Sequence, residues 1–78
     1  MAKKSPDPID VAVGQQVRTL RMKAGLTQET VADALGLTFQ QVQKYESGAN
    51  RVAPSRLYRM SKLFKVRVSA FFDTVSDR

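Results

Sequence analysis

The side chains best suited to chemistry are amides and cations crowded into one stretch: Gln40, Gln41, Gln43, Lys44, Ser47, Asn50 and Arg51. A glutamine amide offers a donor and an acceptor side by side, and a lysine or arginine offers donors that carry charge. Such groups recognise a partner's hydrogen-bonding edges; they do not by themselves make or break bonds. The groups that would do so are missing. The chain has no histidine and no cysteine, and its carboxylates are scattered. A general base, an activated nucleophile and a metal-ligand cluster all lack their usual residues. No catalytic residue, metal site or cofactor is expected, and an enzyme is the least favoured class.

Charge points the same way. Thirteen Lys/Arg against seven Asp/Glu leave a net +6 on 78 residues, and a basic balance on so small a body favours a polyanionic partner. From Ser47 to Phe72 the basic residues are Arg51, Arg56, Arg59, Lys62, Lys65 and Arg67, with no acidic residue among them. The opening MAKKSPDP lacks an apolar run of signal-peptide length, and no stretch is long and apolar enough to span a bilayer. A cytoplasmic protein with no membrane contact is expected.

Amides held for recognition need a rigid support. The stretch 27–48, TQETVADALGLTFQQVQKYESG, reads as two short helices joined by a tight turn. Thr27 is a good N-cap for the first of them. Val31, Ala32 and Leu35 share one face, Gly36 stops the helix in a left-handed turn, and Leu37 plugs the corner. Thr38 caps again, and Gln41, three residues on, fits a capping box, so its amide has two competing uses. Val42 and Tyr45 supply the second helix's apolar face, Gly48 ends it, and Gln40, Gln43 and Lys44 point elsewhere.

Two helices this short cannot bury themselves, so the rest of the chain must be their scaffold. A first helix is predicted over 9–23, with Val13, Val17, Leu20 and Ala24 on one face and Asp10, Arg21 and Lys23 suiting its dipole. Gly14 costs that helix about 1 kcal/mol against alanine, which predicts close approach of another helix. Gly25 ends it, and Leu26 folds back into the core. Pro54 suits the first position of a fourth helix over 54–64, with Leu57, Met60, Ser61 and Phe64 inward and Arg56, Arg59 and Lys62 as a solvated stripe. Val66 and Val68 are expected in the core. A short last helix over 68–74 brings Phe71 and Phe72, whose side chains point about 100° apart, so one closes the core and the other is exposed. The fold class is all-α, a compact bundle of about five short helices. Residues 1–8 read as a disordered arm, 9–73 as the domain and 74–78 as a frayed end.

Thr27-Gln28-Glu29, Gly36 in the turn and Tyr45-Glu46-x-Gly48 together resemble the helix-turn-helix of the lambda-repressor/Cro superfamily, the Xre-type regulators. The run TFQQVQKYE is especially similar to alphaproteobacterial members, and the resemblance covers 9–73. It implies a third helix laid in the major groove of double-stranded DNA. Gln40 is then the leading base contact, pairing bidentately with adenine N6 and N7. Gln41 comes next. Lys44 suits guanine or a phosphate, and Gln43 a base edge or the sugar–phosphate wall. Phe39 departs from the polar residue of many relatives; it fits a thymine methyl or the protein's own second helix equally well.

The resemblance also implies phosphate contacts at Gln28, Ser47, Asn50, Arg51 and Lys23, with Gln28 bracing a glutamine of the recognition helix. It pairs Arg21 with Glu46 as a structural ion pair between the first and third helices. Lys65 stands where the family usually has glycine, which predicts a blunter helix end. Lys3 and Lys4 fit a solvated tail or a DNA-touching arm. The implied function is sequence-specific regulation, as repressor or autoregulator, by a homodimer on an inverted repeat. Phe71, Phe72 and Val75 are the candidate dimer contact, and no small-molecule effector is evident. The alternative is an antitoxin or other protein-interaction component, which the few residues beyond Phe72 disfavour.

Overall fold

The computed structural model describes residues 6–75. Four α-helices follow one another: α1 (Pro8–Lys23), α2 (Gln28–Leu35), α3 (Phe39–Ser47) and α4 (Pro54–Phe64). A 3₁₀ turn, Val68–Phe72, closes the order, and there is no strand among the described residues. The expectation of about five helices over-counts by one. The last element is a five-residue 3₁₀ turn ending at Phe72. A segment so short satisfies its backbone through i→i+3 bonds, as in Ala70 N–H to the Arg67 carbonyl at 2.9 Å.

Local chemistry explains where the helices start. Asp7 accepts from the Ile9 amide at 2.7 Å, so α1 begins at Pro8, one residue before the expected start. Thr27 accepts from Thr30 N at 3.0 Å, and Thr38 from Gln41 N at 3.1 Å. Each supplies an acceptor for an amide that has no partner within the helix. The helices end as sharply. Gly36 and Gly48 take left-handed conformations after α2 and α3. Lys65 does the same after α4, with φ 61, and Val66 N–H reaches the Ser61 carbonyl at 3.0 Å. The end predicted to be blunt is therefore fully wrapped, at a cost of about 1 kcal/mol for a side chain in that region.

The core is built from Val13, Val17 and Leu20 of α1, Val31 and Ala32 of α2, Val42 and Tyr45 of α3, and Leu57, Met60 and Phe64 of α4. Val52, from the loop before α4, joins them. Ala24 does not; as the C-cap of α1 it is exposed. Val66 is half-buried and Val68 is 37% exposed, so only the first of that pair packs inward. Of the two adjacent phenylalanines, Phe71 is fully buried, its ring tilted against Phe64 at 6.2 Å between centroids, while Phe72 is 43% exposed. Burying a phenylalanine stabilises by about 1.5–3 kcal/mol. Phe71 serves the core and is removed from the candidate dimer contact.

The crossing of α1 over α3 sets the geometry that matters for function. A Cβ on Gly14 would sit 2.2 Å from the Tyr45 carbonyl oxygen, and one on Gly48 would sit 2.7 Å from Val11 Cα. At Gly14 the two backbones therefore meet with no side chain between them, and at Gly48 α3 ends against Val11. Gln16 Nε2 donates to the Ala70 carbonyl at 2.8 Å and ties α1 to the 3₁₀ turn. No described helix is long and apolar enough to cross a membrane. The arm residues Lys3 and Lys4, and residues 76–78 of the expected frayed end, lie outside the described residues.

Candidate nucleic-acid interface

α3 divides cleanly along its length. Val42, Tyr45 and Glu46 are buried, Gln41 is half-buried, and Phe39, Gln40, Gln43, Lys44 and Ser47 are exposed. At about 100° per residue the exposed five fall on one continuous arc. Gln40, Gln43 and Lys44 make no side-chain hydrogen bond or ion pair among the described residues, so their donors and acceptors are available to a partner. Lys44 lies one turn beyond Gln40 on the same side.

Gln41 is less available. Its Oε1 accepts from the Thr38 amide at 3.0 Å, completing the capping box. A bidentate contact through this amide would first have to break that bond. Phe39 is 38% exposed and lines an open groove of about 490 Å³ with Arg18, Met22, Gln28 and Glu29. Its ring borders that groove beside Gln28 and Glu29 of α2 and stays exposed.

The phosphate candidates separate too. Ser47 Oγ donates to the Lys44 carbonyl at 3.1 Å and accepts from Ala49 N at 3.2 Å, so it closes α3 locally. Arg51 pairs through Nε with Asp10 at 3.0 Å, a partner that sequence reasoning placed only at the α1 dipole. The Arg51 side chain is still three-quarters exposed, and its terminal nitrogens remain open. Lys23 and the Asn50 side chain are exposed and unpaired among the described residues. Arg56, expected on the solvated stripe, is half-buried and donates from Nη1 to the Leu35 carbonyl at 3.4 Å, which places a cation at the C-terminal end of α2. Lys62 sits 5.3 Å from the centroid of the Tyr58 ring.

Beneath this surface lies a buried polar cluster. Arg21 and Glu46 meet side-on, Nε to Oε2 at 2.6 Å and Nη2 to Oε1 at 3.2 Å, while Nη1 donates to the Leu26 carbonyl at 2.7 Å. Gln28 Nε2 donates to the same Glu46 Oε1 at 2.9 Å. Gln28 therefore leans on the ion pair, where the resemblance had it bracing a recognition-helix glutamine. The physical reason is that Glu46 presents a buried carboxylate, a stronger acceptor than a neutral amide. No buried side-chain polar atom among the described residues lacks a partner, and their carboxylates do not gather into a group of three that could hold a metal.

Comparison with known proteins gives this geometry its context. The model of the helix-turn-helix family HTH_3 matches residues 17–71. A Sinorhizobium medicae protein named as an uncharacterized HTH-type transcriptional regulator is 51% identical over 71 residues, which is 91% of this chain and 51% of that protein. A Rhodospirillum rubrum protein, an uncharacterized transcriptional regulator in an ATPase CF(0) region, is 48% identical over 82% of this chain and 59% of its own length. The chain thus spans about half the length of the curated relatives it matches. Among solved structures, the restriction-modification controller protein C.AhdI from Aeromonas hydrophila superposes with a TM-score of 0.73 at 31% identity, covering 80% of this chain and 94% of that one.

Proposed function

The chain belongs to the helix-turn-helix family HTH_3, with alphaproteobacterial HTH-type transcriptional regulators among its relatives, and on that premise we propose that it is a sequence-specific regulator that reads duplex DNA with α3. The observation that carries this reading is the division of α3: Val42, Tyr45 and Glu46 anchor it while Gln40, Gln43 and Lys44 stand outside, unpartnered. A helix so presented fits the major groove, where each base pair shows a distinct donor and acceptor pattern. In this reading Gln40 is the principal base contact, and Gln43 and Lys44 support it. Gln41 and Phe39 act from the margin, one held by its cap and the other by the groove it lines.

Gln28, Lys23, Asn50 and Arg51 contact phosphates and hold the register, with Ser47 shaping the loop between them. The DNA-reading unit is residues 9–73, working in the cytoplasm. It acts as a repressor or autoregulator on an inverted repeat, because one helix of nine residues reads too few base pairs to be selective alone. Two copies spaced about one helical turn, ~34–36 Å, supply the rest. Phe72 is the exposed aromatic available to join them. Val75 is half-buried and lines a cleft of about 260 Å³ with Ile9 and Ala12.

Selection of bound duplexes from a random pool tests this directly. The expected outcome is an enriched two-fold motif, with Phe72→Asp weakening binding to the full motif and sparing a half-site. Recovery of no motif at all would defeat the reading.

A further inference from the structure

The cluster under the interface does more than join two helices. The geometry points to Glu46 as a positioning residue for DNA: held by Arg21, it orients the Gln28 carboxamide so that α2 presents a preformed seat for a phosphate. This inference rests on the reading that Gln28 meets the DNA backbone.

The chemistry follows from which atoms can donate. A carboxylate only accepts, so the 2.9 Å contact with Glu46 Oε1 must come from the amide nitrogen of Gln28. That settles which way the amide faces. One N–H is spent on Glu46, and the second, on the same nitrogen, is left for the groove that Gln28 lines with Arg18 and Thr27. Thr30 N–H is taken by the Thr27 cap at 3.0 Å. The backbone N–H groups of Gln28 and Glu29, at the positive end of α2, make no hydrogen bond among the described residues. The residues that carry these three donors thus border one groove, with Arg18 and the acidic Glu29 also on its lining. Without Glu46 the Gln28 side chain would be a free rotor whose carbonyl oxygen, which repels a phosphate, could face outward as readily as its nitrogen.

The carboxylate that aims this amide belongs to α3. Glu46 lies on the inner side of the helix whose outer side carries Gln40. The proposed phosphate seat on α2 is therefore indexed to the base-reading helix through one side chain, and Arg21 from α1 holds that side chain at 2.6 Å.

Replacing both buried charges by apolar residues, Arg21→Met with Glu46→Leu, avoids stranding one of them and commonly preserves stability; a thermal melt verifies this. Affinity is read on a mixed-sequence duplex, where phosphate contacts dominate. The expected loss is about two- to tenfold, the usual penalty for ordering one long side chain on binding. Gln28→Ala should lose as much, and adding it to the double variant should lose nothing further. Arg21→Met with Glu46→Gln, which restores an acceptor without the charge pair, should regain most of the affinity.

In the free protein, the Gln28 side-chain amide resonances should stand apart from those of solvent-exposed glutamines. They should join that group in the Arg21→Met/Glu46→Leu variant and separate again in the Arg21→Met/Glu46→Gln variant. Additive losses of affinity, or amide resonances indifferent to Glu46, would overturn the positioning role while leaving DNA contact by Gln28 intact. Full affinity in Gln28→Ala would instead overturn the phosphate contact itself, and the positioning role with it.

Discussion

The two sides of α3 obey different rules. The inner side is closed: Tyr45 and Glu46 carry carbonyls pressed against Gly14, and the Glu46 carboxylate is shared by Arg21 and Gln28. The outer side is open, with Gln40, Gln43 and Lys44 bonded to nothing else in the described residues. A single short rod thus serves as a fastener on one side and a reading edge on the other. Substitutions on the inner side should leave sequence preference alone, and those on the outer side should leave folding alone. A residue that violated this separation would show that the two sides communicate.

The largest effect belongs to the ion pair. Arg21→Met alone leaves Glu46 buried with only Gln28 beside it, and should destabilise the fold by about 3–5 kcal/mol. A melt of the single variant against the Arg21→Met/Glu46→Leu double measures this; equal stabilities would show that the charge left behind costs nothing. Next comes Gly14. Alanine gains about 1 kcal/mol of helix propensity there, but its methyl would need the space held by the Tyr45 carbonyl. Overpacking costs about 1–3 kcal/mol, and the upper end applies where the obstacle is backbone, so a net loss is expected in urea unfolding. A stabilised Gly14→Ala variant would mean that α1 and α3 are less tightly joined than the backbone contact indicates.

On the outer side, Gln40→Ala should leave the melting temperature unchanged. It should erase about 1–3 kcal/mol of discrimination at one base pair of a selected site, the worth of a good bidentate contact. Competition binding between that site and its single-base variants provides the measurement. Unaltered discrimination would shift the reading role to Gln43 and Lys44.

Sequence reasoning saw much of the inner side and little of what crosses between elements. Thr27, Thr38, Gly36 and Gly48 mark helix ends because caps and left-handed turns are local, set within a few residues. Val17, Val31, Val42 and Met60 follow from periodicity. The choice between Phe71 and Phe72 is not local: adjacency says that they diverge, and only the packing against Phe64 says which goes in. Polar bonds over long separations leave no periodic trace. Gln28 to Glu46, Gln16 to Ala70 and Arg56 to Leu35 join residues on different elements, and each depends on side-chain reach that spacing does not encode. The left-handed Lys65 was hidden for a related reason, since a lysine gives no sign that surrounding structure will hold it there.

Arg51 belongs to neither side, which makes it the sharpest probe of the boundary. Its Nε is tethered to Asp10 of α1, yet the side chain is mostly in solvent, so the pair itself is worth at most about 1 kcal/mol. If its terminal nitrogens meet a phosphate, Arg51→Ala should weaken binding to every sequence alike. It should also make the plot of log affinity against log salt shallower by about one unit. Asp10→Asn should act in the opposite sense, because it removes the carboxylate that competes with the phosphate, and should raise affinity for mixed-sequence DNA by a small factor at low salt. The two together discriminate. A tether that orients Arg51 for DNA predicts that losing Asp10 weakens binding, whereas a tether that restrains it predicts a gain. It is therefore the sign of the Asp10→Asn effect, read at two salt concentrations, that decides whether this pair belongs with the fastener or with the reading edge.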